Sequence, residues 1–302
     1  MEVFALYYAV AGSAALIIAV MLAVNGELTA VCGEHPATLI IHLAGLAAVS
    51  AAALIRRENP FKRARGVPFA LLLGGVINYF TTFFNTLAVG RISVTAILAL
   101  SLLGQAATSL VIDCFGLFGM EKRRLGLPEL AGLAVTALGI VLLLGGGSAR
   151  AAALIPIAVS VLSGACCVCT RQVTAQLSER AGLLTGTWFS YFTGSLVAVA
   201  AVMLSPALGA GADFSLALAA PCWAYLGGAL GAAAVYLQNL CVKRMSSVAM
   251  TLVMFAGQVF GGAAIDAAFY GEFSARTLAG GALAFAGLVL NALAARRLTR
   301  RT

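Results

Sequence analysis

The sequence predicts an all-α integral membrane protein with ten transmembrane helices in two inverted five-helix repeats, and with both termini in the cytoplasm. Three observations predict this fold: the composition, the distribution of basic residues and an internal repeat. The chain is 62% hydrophobic and only 10% charged, and a soluble domain of 302 residues could not cover its surface with so few charges. Helices are expected rather than strands because an open sheet would leave backbone groups unpaired in lipid.

Apolar segments of about 20 residues, the length that crosses a bilayer as a helix, recur along the whole chain. They leave no room for a large soluble domain. The N-terminus lacks the basic residues that open a signal peptide, so the first segment is expected to be a retained helix. The predicted spans are 4–24, 37–55, 68–89, 93–118, 129–147, 151–170, 183–204, 220–241, 247–270 and 276–295.

The basic residues fall in alternate loops. With the N-terminus inside, sixteen of the nineteen Lys and Arg residues lie on the cytoplasmic side, and only Arg91, Arg150 and Arg276 lie outside. Cytoplasmic loops are enriched in Lys and Arg, so this orientation is predicted. The net charge of +8 is therefore attributed to membrane orientation, and no aromatic-basic patch indicates nucleic-acid binding. The cytoplasmic group comprises Arg56, Arg57, Lys62, Arg63, Arg65, Lys122, Arg123, Arg124, Arg171, Arg180, Lys243, Arg244, Arg296, Arg297, Arg300 and Arg301.

Residues 1–148 and 149–302 are predicted to be two similar repeats. Gly104-Gln105 recurs as Gly257-Gln258, and Asp113 recurs as Asp266, both at an offset of 153 residues. Each repeat has five helices, an odd number, so the second must enter the membrane in the opposite sense to the first. Inverted repeats are a common construction of secondary transporters, because two such halves can exchange conformations.

The motif Gly104-Gln105 followed by Asp113, with the downstream segment Phe115-Gly116-Leu117-Phe118-Gly119, resembles the YdcZ-like branch of the drug/metabolite transporter superfamily. The segments Asn25-Gly26-Glu27-Leu28 and His42-Leu43-Ala44-Gly45 also resemble that branch. The usual member is a single five-helix unit, and this chain resembles a fused pair. The resemblance implies a ten-helix transporter fold and does not imply a substrate.

Eight polar residues are candidates for substrate contact. Gln105 and Gln258 lie near the middle of predicted spans four and nine, where transporter sites usually lie. An amide in hydrocarbon needs a partner or a water-lined cavity, so the alternative is that these glutamines only join helices. Ser101, Gln105 and Thr108 share one helical face. The candidate set is Gln105, Gln258, Ser101, Thr108, Thr251, Asn78, Asn85 and Gln238.

Four titratable residues are candidates for coupling or gating. Asp113 and Asp266 lie inside predicted spans near opposite ends, where a carboxylate is either functional or paired; the alternative is that they anchor helices at the interfaces. A histidine side chain can titrate near neutral pH, so His42 is a candidate for proton coupling, and its alternative is a hydrogen-bonded structural residue. Four-helix relatives in the superfamily that this chain resembles use a first-helix glutamate as the coupling carboxylate. The resemblance implies Glu27 as the candidate for that role, although Glu27 is predicted close to the water at the outer end of helix one.

The function predicted is secondary transport of a small organic molecule across the inner membrane by alternating access, as proton-coupled efflux. The alternatives are an uptake carrier, a passive channel or facilitator, and a non-transporting membrane partner protein. An enzyme is not expected, since no nucleophile-base pair and no phosphate-cradling loop are present. No cofactor or metal is predicted, because the cluster Cys166-Cys167-Val168-Cys169 lacks zinc-ligand spacing.

The expected partners are the bilayer, a small-molecule substrate and protons. Gly132 and Gly139 recur as Gly280 and Gly287 in the fifth helix of each repeat. Small residues at this spacing let helices pack closely. The sequence therefore predicts that helices five and ten either join the two halves or form a homodimer interface.

Overall fold

The computed structural model describes residues 2–119, 127–144, 151–208, 214–242, 245, 247–269, 271 and 275–299. Over these residues the chain is helical and forms no β-sheet. Two four-residue helices and several 3-10 turns occupy the connections. The helices are α1 (Glu2–Cys32), α2 (Glu34–Ile55), α3 (Pro60–Arg63), α4 (Phe69–Leu72), α5 (Gly74–Ala88), α6 (Val94–Phe115), α7 (Leu127–Leu144), α8 (Ala151–Ala181), α9 (Leu183–Leu204), α10 (Gly227–Val242), α11 (Ser247–Phe269) and α12 (Ala275–Thr299).

Seven segments of the described chain are long and apolar enough to cross a membrane. They include α1, α2, α6, α8, α9 and α11, together with Phe69–Ala88, which joins α4 to α5. The helices α7, α10 and α12 are not among these seven, although α7 and α12 contain the shorter apolar segments Leu130–Leu144 and Ala275–Leu290. The helical membrane class is as predicted, and the count of ten spans stays a prediction.

The first helix of each repeat is longer than predicted. Both α1 and α8 have 31 residues, whereas the expected ends were residues 24 and 170. Polar residues after those points suggested a loop, but Glu, Gln and Arg continue a helix well. Each helix ends only at a glycine with positive φ, Gly33 (80°) and Gly182 (95°), a conformation that residues with a Cβ rarely adopt. Glu27 and Arg171 therefore lie within helices.

Helices at equivalent places in the two repeats have equivalent neighbours. The helix α1 packs against α10 and α11, and its counterpart α8 packs against α5 and α6. A Cβ added at Gly74 would lie 3.5 Å from Thr174 Oγ1, and one added at the corresponding Gly227 would lie 1.8 Å from Asn25 Oδ1. Each contact that the first repeat makes with the second is thus matched by an equivalent contact that the second repeat makes with the first.

The helices α7 and α12 form the most extensive helix pair in the molecule. A Cβ added at Gly139 would lie 2.7 Å from the carbonyl oxygen of Gly280, and one added at Gly287 would lie 2.8 Å from that of Gly132. The pair is therefore antiparallel, and glycine is needed where the backbones meet. These glycine faces join the two halves inside one chain, which is the first of the two predicted roles. The homodimer stays a prediction.

The helices α2 and α9 also cross in antiparallel fashion. Gly45 faces the ring of Tyr191, and Gly194 faces the ring of His42. Further along, Trp188 Nε1 donates a 2.9 Å hydrogen bond to Ser50 Oγ. His42 and Tyr191 occupy corresponding positions of the two repeats. The two glycine-to-ring contacts at this crossing are therefore equivalent to each other.

Candidate substrate cavity

A cavity lies at the centre of the helical assembly. The volume accessible to the centre of a water molecule is about 120 Å³. Its lining residues come from α1, α2, α5, α6, α8, α9, α10 and α11, with none from the described parts of α7 or α12. The cavity is therefore bounded by four helices of each repeat, while the fifth helices pack elsewhere.

Six of the eight predicted substrate-contact residues line this cavity. The two that do not are Thr108 and Thr251, and substrate contact by them stays a prediction. Thr108 is half-buried on α6 beyond the cavity, and Thr251 is exposed. Thr251 precedes Gln258 by seven residues, about 10 Å of helix rise, which carries it past the cavity. The six lining residues are Gln105, Gln258, Ser101, Asn78, Asn85 and Gln238.

Hydrogen bonds hold one wall of the cavity in place. Ser163 Oγ donates to Asn85 Oδ1 at 2.8 Å and lies 3.2 Å from the carbonyl oxygen of Thr81. Gln105 Oε1 accepts a 2.7 Å hydrogen bond from Arg171 Nη2. These bonds join α5 and α6 of the first repeat to α8 of the second, so the wall spans the boundary between the repeats.

Other polar groups face the cavity without a protein partner. Gln258 is 4% exposed, and its amide has no hydrogen bond to any described residue. Asn25 also lines the cavity, but its Oδ1 is buried next to Gly227 and has no hydrogen-bond partner among the described residues. Unpaired buried amides cost free energy unless water or a ligand satisfies them. The cavity is thus equipped to bind a polar solute.

A smaller cavity adjoins the first and shares Asn78, Cys167, Arg171, Val235 and Gln238 with it. Its water-accessible volume is about 60 Å³. Two of its lining residues, Thr170 and Asn239, each have a buried polar atom, Oγ1 and Nδ2, without a partner among the described residues. The polar space therefore continues from the central cavity along α8 and α10.

Arg171 is the functional candidate that sequence reasoning missed. It was assigned to a cytoplasmic loop, but it lies on α8 and lines both cavities. Its guanidinium contacts Gln105 and the Cys167 sulfur, the latter at 3.5 Å. The signal that could have found it is the run from Thr170 to Ala181, which has no Pro or Gly to end a helix.

His42 is fully buried beside the cavity rather than in it. Its Nδ1 lies 2.9 Å from the carbonyl oxygen of Thr38, and its ring centroid lies 6.0 Å from those of Tyr79 and Tyr191. Its Nε2 has no partner among the described residues. The Thr38 bond and the packing fit the structural role that the sequence left open, and a coupling role stays a prediction.

Asp266 caps the N-terminus of α6. Its Oδ1 accepts from the Val94 N–H at 3.0 Å, and its Oδ2 accepts from the Thr95 N–H at 2.9 Å and from the Thr95 hydroxyl. Ser93 Oγ accepts from the Ala96 N–H at 3.2 Å. A helix start leaves such N–H groups unpaired and favours negative charge. Asp266 thus anchors α11 to α6, which is the alternative that the sequence left open.

The remaining coupling candidates lie away from the central cavity. Glu27 lines a separate cavity together with Arg91, Ser93 and Asp266. Its water-accessible volume is about 450 Å³, and Val89 borders both this cavity and the central one. Asp113 is half-buried near the end of α6 and does not line the central cavity.

A protein-family model matches the chain twice, over residues 5–142 and 155–294. Its description reads "Putative inner membrane exporter, YdcZ". The chain belongs to the YdcZ family. Because the model matches each half separately, this member is a fused pair of units, as the sequence motifs indicated. No curated protein matches the chain.

A solved structure titled "Crystal structure of protein" is similar in fold, with a TM-score of 0.65. The two sequences are 19% identical, and the alignment covers 97% of this chain and 99% of the other. At that identity the likeness concerns the fold alone. As a YdcZ-family member with several membrane-spanning helices, the chain is a multi-pass inner-membrane protein of the transporter class.

Proposed function

We propose that this protein is a secondary transporter that moves a small organic molecule out of the cell by alternating access, with proton coupling. The observation that carries the proposal is the central cavity, which four helices of each repeat enclose and which is lined by amides without a partner among the described residues. A binding site between two repeats is the arrangement that alternating access requires.

The helix contacts support inverted repeats. If two similar halves lie in opposite senses, corresponding helices that cross on the axis between them must be antiparallel. The helices α2 and α9 are such a pair, with Gly45 against Tyr191 and Gly194 against His42, and α7 and α12 are another. Two antiparallel pairs of corresponding helices support ten spans with both termini on the same side.

The size of the cavity favours a small solute. Pockets for drug-sized ligands usually measure about 300–1,000 Å³, whereas this cavity offers about 120 Å³. A buried water needs about 10–15 Å³ by the same kind of measure. The volume therefore corresponds to several waters, or to a metabolite of a few non-hydrogen atoms, and we propose a metabolite rather than a bulky drug as the substrate.

Proton coupling is best assigned to Glu27 among the described carboxylates. Glu27 makes no ion pair or hydrogen bond with a described residue, whereas Asp266 is bonded to the start of α6. Glu27 also faces the cavity that Val89 separates from the central one. A carboxylate that exchanges protons needs such access to water, and Glu27→Gln is expected to remove the response of transport to a pH gradient.

Transport is tested by counterflow in proteoliposomes. A thermal-shift screen of the purified protein with small acids, amines, amides and sugars first selects a ligand, since binding raises the stability of the folded state. Liposomes loaded with that unlabelled ligand are then given a trace of the labelled form. Saturable accumulation supports a carrier, unsaturable flux indicates a channel, and absence of flux for every ligand that binds contradicts transport.

The proposed orientation is tested by thiol labelling. In a cysteine-free variant, Arg91→Cys and Glu58→Cys are placed in turns that the proposal assigns to opposite sides of the membrane. A membrane-impermeant maleimide added to intact cells should label position 91, and position 58 only after permeabilisation. Labelling of both positions from outside would contradict the proposed topology.

A further inference from the structure

The cavity described above has an asymmetric charge. Arg171 is the one charged residue among the described residues that line it. Its counterpart in the first repeat, 149 residues earlier, is Leu22, which also lines the cavity. No described carboxylate lies within ion-pair distance of Arg171, since the ion pairs of the described chain are Arg63 with Glu58 and Arg91 with Glu34. The cavity therefore carries one positive charge.

The guanidinium of Arg171 has unused hydrogen-bonding capacity. Arginine offers five N–H donors in a planar fork, and the bonds to Gln105 and Cys167 both use Nη2. The Nε and Nη1 groups have no partner among the described residues. A charged residue within a membrane segment is costly and usually marks a substrate pathway. Arg171 is half-buried, and a guanidinium that lacks a described carboxylate partner favours an anionic ligand.

Resting on the transport function proposed above, we propose that the substrate is a small organic monocarboxylate whose carboxylate binds Arg171. A guanidinium matches a carboxylate in geometry and binds it through charge-assisted hydrogen bonds. One cation balances one carboxylate charge, whereas a phosphate dianion would leave negative charge uncompensated in the cavity. The neutral part of the molecule lies against the amide of Gln258, which lines the cavity without a partner among the described residues and can bind a hydroxyl or carbonyl group.

Cys167 provides a native probe of this site. Its sulfur lies 3.5 Å from Arg171 Nη2 and lines both cavities. In a variant that retains Cys167 alone, the labelling rate with N-ethylmaleimide is measured in proteoliposomes with propanoate, lactate or pyruvate. The matched compounds propanamide, lactamide and propylammonium serve as comparisons of the same size without the carboxylate.

Protection of Cys167 by at least one acid, and not by its amide or by the ammonium compound, is the expected result. Arg171→Gln should weaken that protection about ten- to a hundredfold, because a hydrogen bond to a charged group is lost. Arg171→Lys, which keeps the charge, should retain part of it. Arg180→Gln is the matched control, since Arg180 lies exposed in the last turn of the same helix.

Three outcomes overturn the proposal. If no acid protects Cys167, or if the amides protect as well as the acids, the monocarboxylate assignment is wrong, and this comparison does not depend on the folding of a variant. If acids protect equally in Arg171→Gln, the cation is not the binding group. Counterflow of a neutral or cationic ligand would then leave the transport function standing with a different substrate class.

Discussion

Asp266→Asn tests whether this carboxylate anchors a helix or carries a proton. In the structure its two oxygens accept the Val94 and Thr95 N–H groups at the start of α6. Asparagine has one side-chain oxygen, so one N–H group keeps an acceptor while the other faces an amide donor. The change therefore removes one charge-assisted hydrogen bond and the negative charge at the helix N-terminus.

The expected loss follows from these two contributions. A hydrogen bond to a charged group contributes about 1.5–3 kcal/mol, and a charge at a helix terminus contributes about 0.3–1 kcal/mol. We expect Asp266→Asn to lower the free energy of unfolding by about 2–4 kcal/mol. Asp266→Ala should cost at least as much, because both N–H groups then lose their acceptor.

The assay is unfolding of the purified protein in mixed micelles, by heat and by SDS titration. Glu34→Gln is the control, since it removes the same charge from an exposed ion pair with Arg91. An exposed pair is worth only about 0–1 kcal/mol. If Asp266→Asn unfolds like the wild type but changes the pH dependence of transport, the anchoring argument is refuted and a coupling role is favoured.

Three further predictions concern the cavity and the helix pairs around it. Gln258→Ala should weaken ligand binding in the thermal-shift assay, because it removes an amide that lines the cavity without a described partner; unchanged affinity would remove it from the site. Gly139→Ala should destabilise the protein in thermal melts, since the new Cβ would lie 2.3 Å from the Ala284 nitrogen. Gly12→Ala is the control: its new Cβ would lie 4.0 Å from its nearest neighbour, so this change should be neutral or stabilising in the same melts. His42→Gln, which can retain the bond to Thr38, should leave the pH profile of counterflow unchanged if His42 is structural, and an altered profile would indicate coupling.

The central features of the site could be predicted from the sequence. Gln105 and Gln258 both face the cavity because a polar side chain in an apolar span is costly in lipid and therefore faces the interior of the bundle. The same reasoning applies to four further polar residues, and all six line the cavity. The four are Asn78, Asn85, Gln238 and Ser101. The glycine pattern of α7 and α12 likewise indicated a close helix pair, since small residues at one helical spacing permit backbone contact.

The ends of the helices and the contacts between residues far apart in the sequence could not be predicted in this way. Hydropathy falls after residues 24 and 170, but the helices continue to Cys32 and Ala181 because hydrophobicity decides depth in the membrane and not where a helix stops. Arg171 was therefore placed in a loop. The role of Asp266 depends on its proximity to Val94, 172 residues away, which no local pattern contains.

The pairing of Arg171 with Leu22 across the cavity has a consequence for how such a protein can arise. Two identical five-helix chains assembled as a dimer would carry the same residue at both positions, so a guanidinium in one subunit would face a second in the other. Like charges in a shared low-dielectric space repel strongly. Joining the two units in a single polypeptide lets the positions diverge, so a cavity between near-copies can hold an odd number of charges.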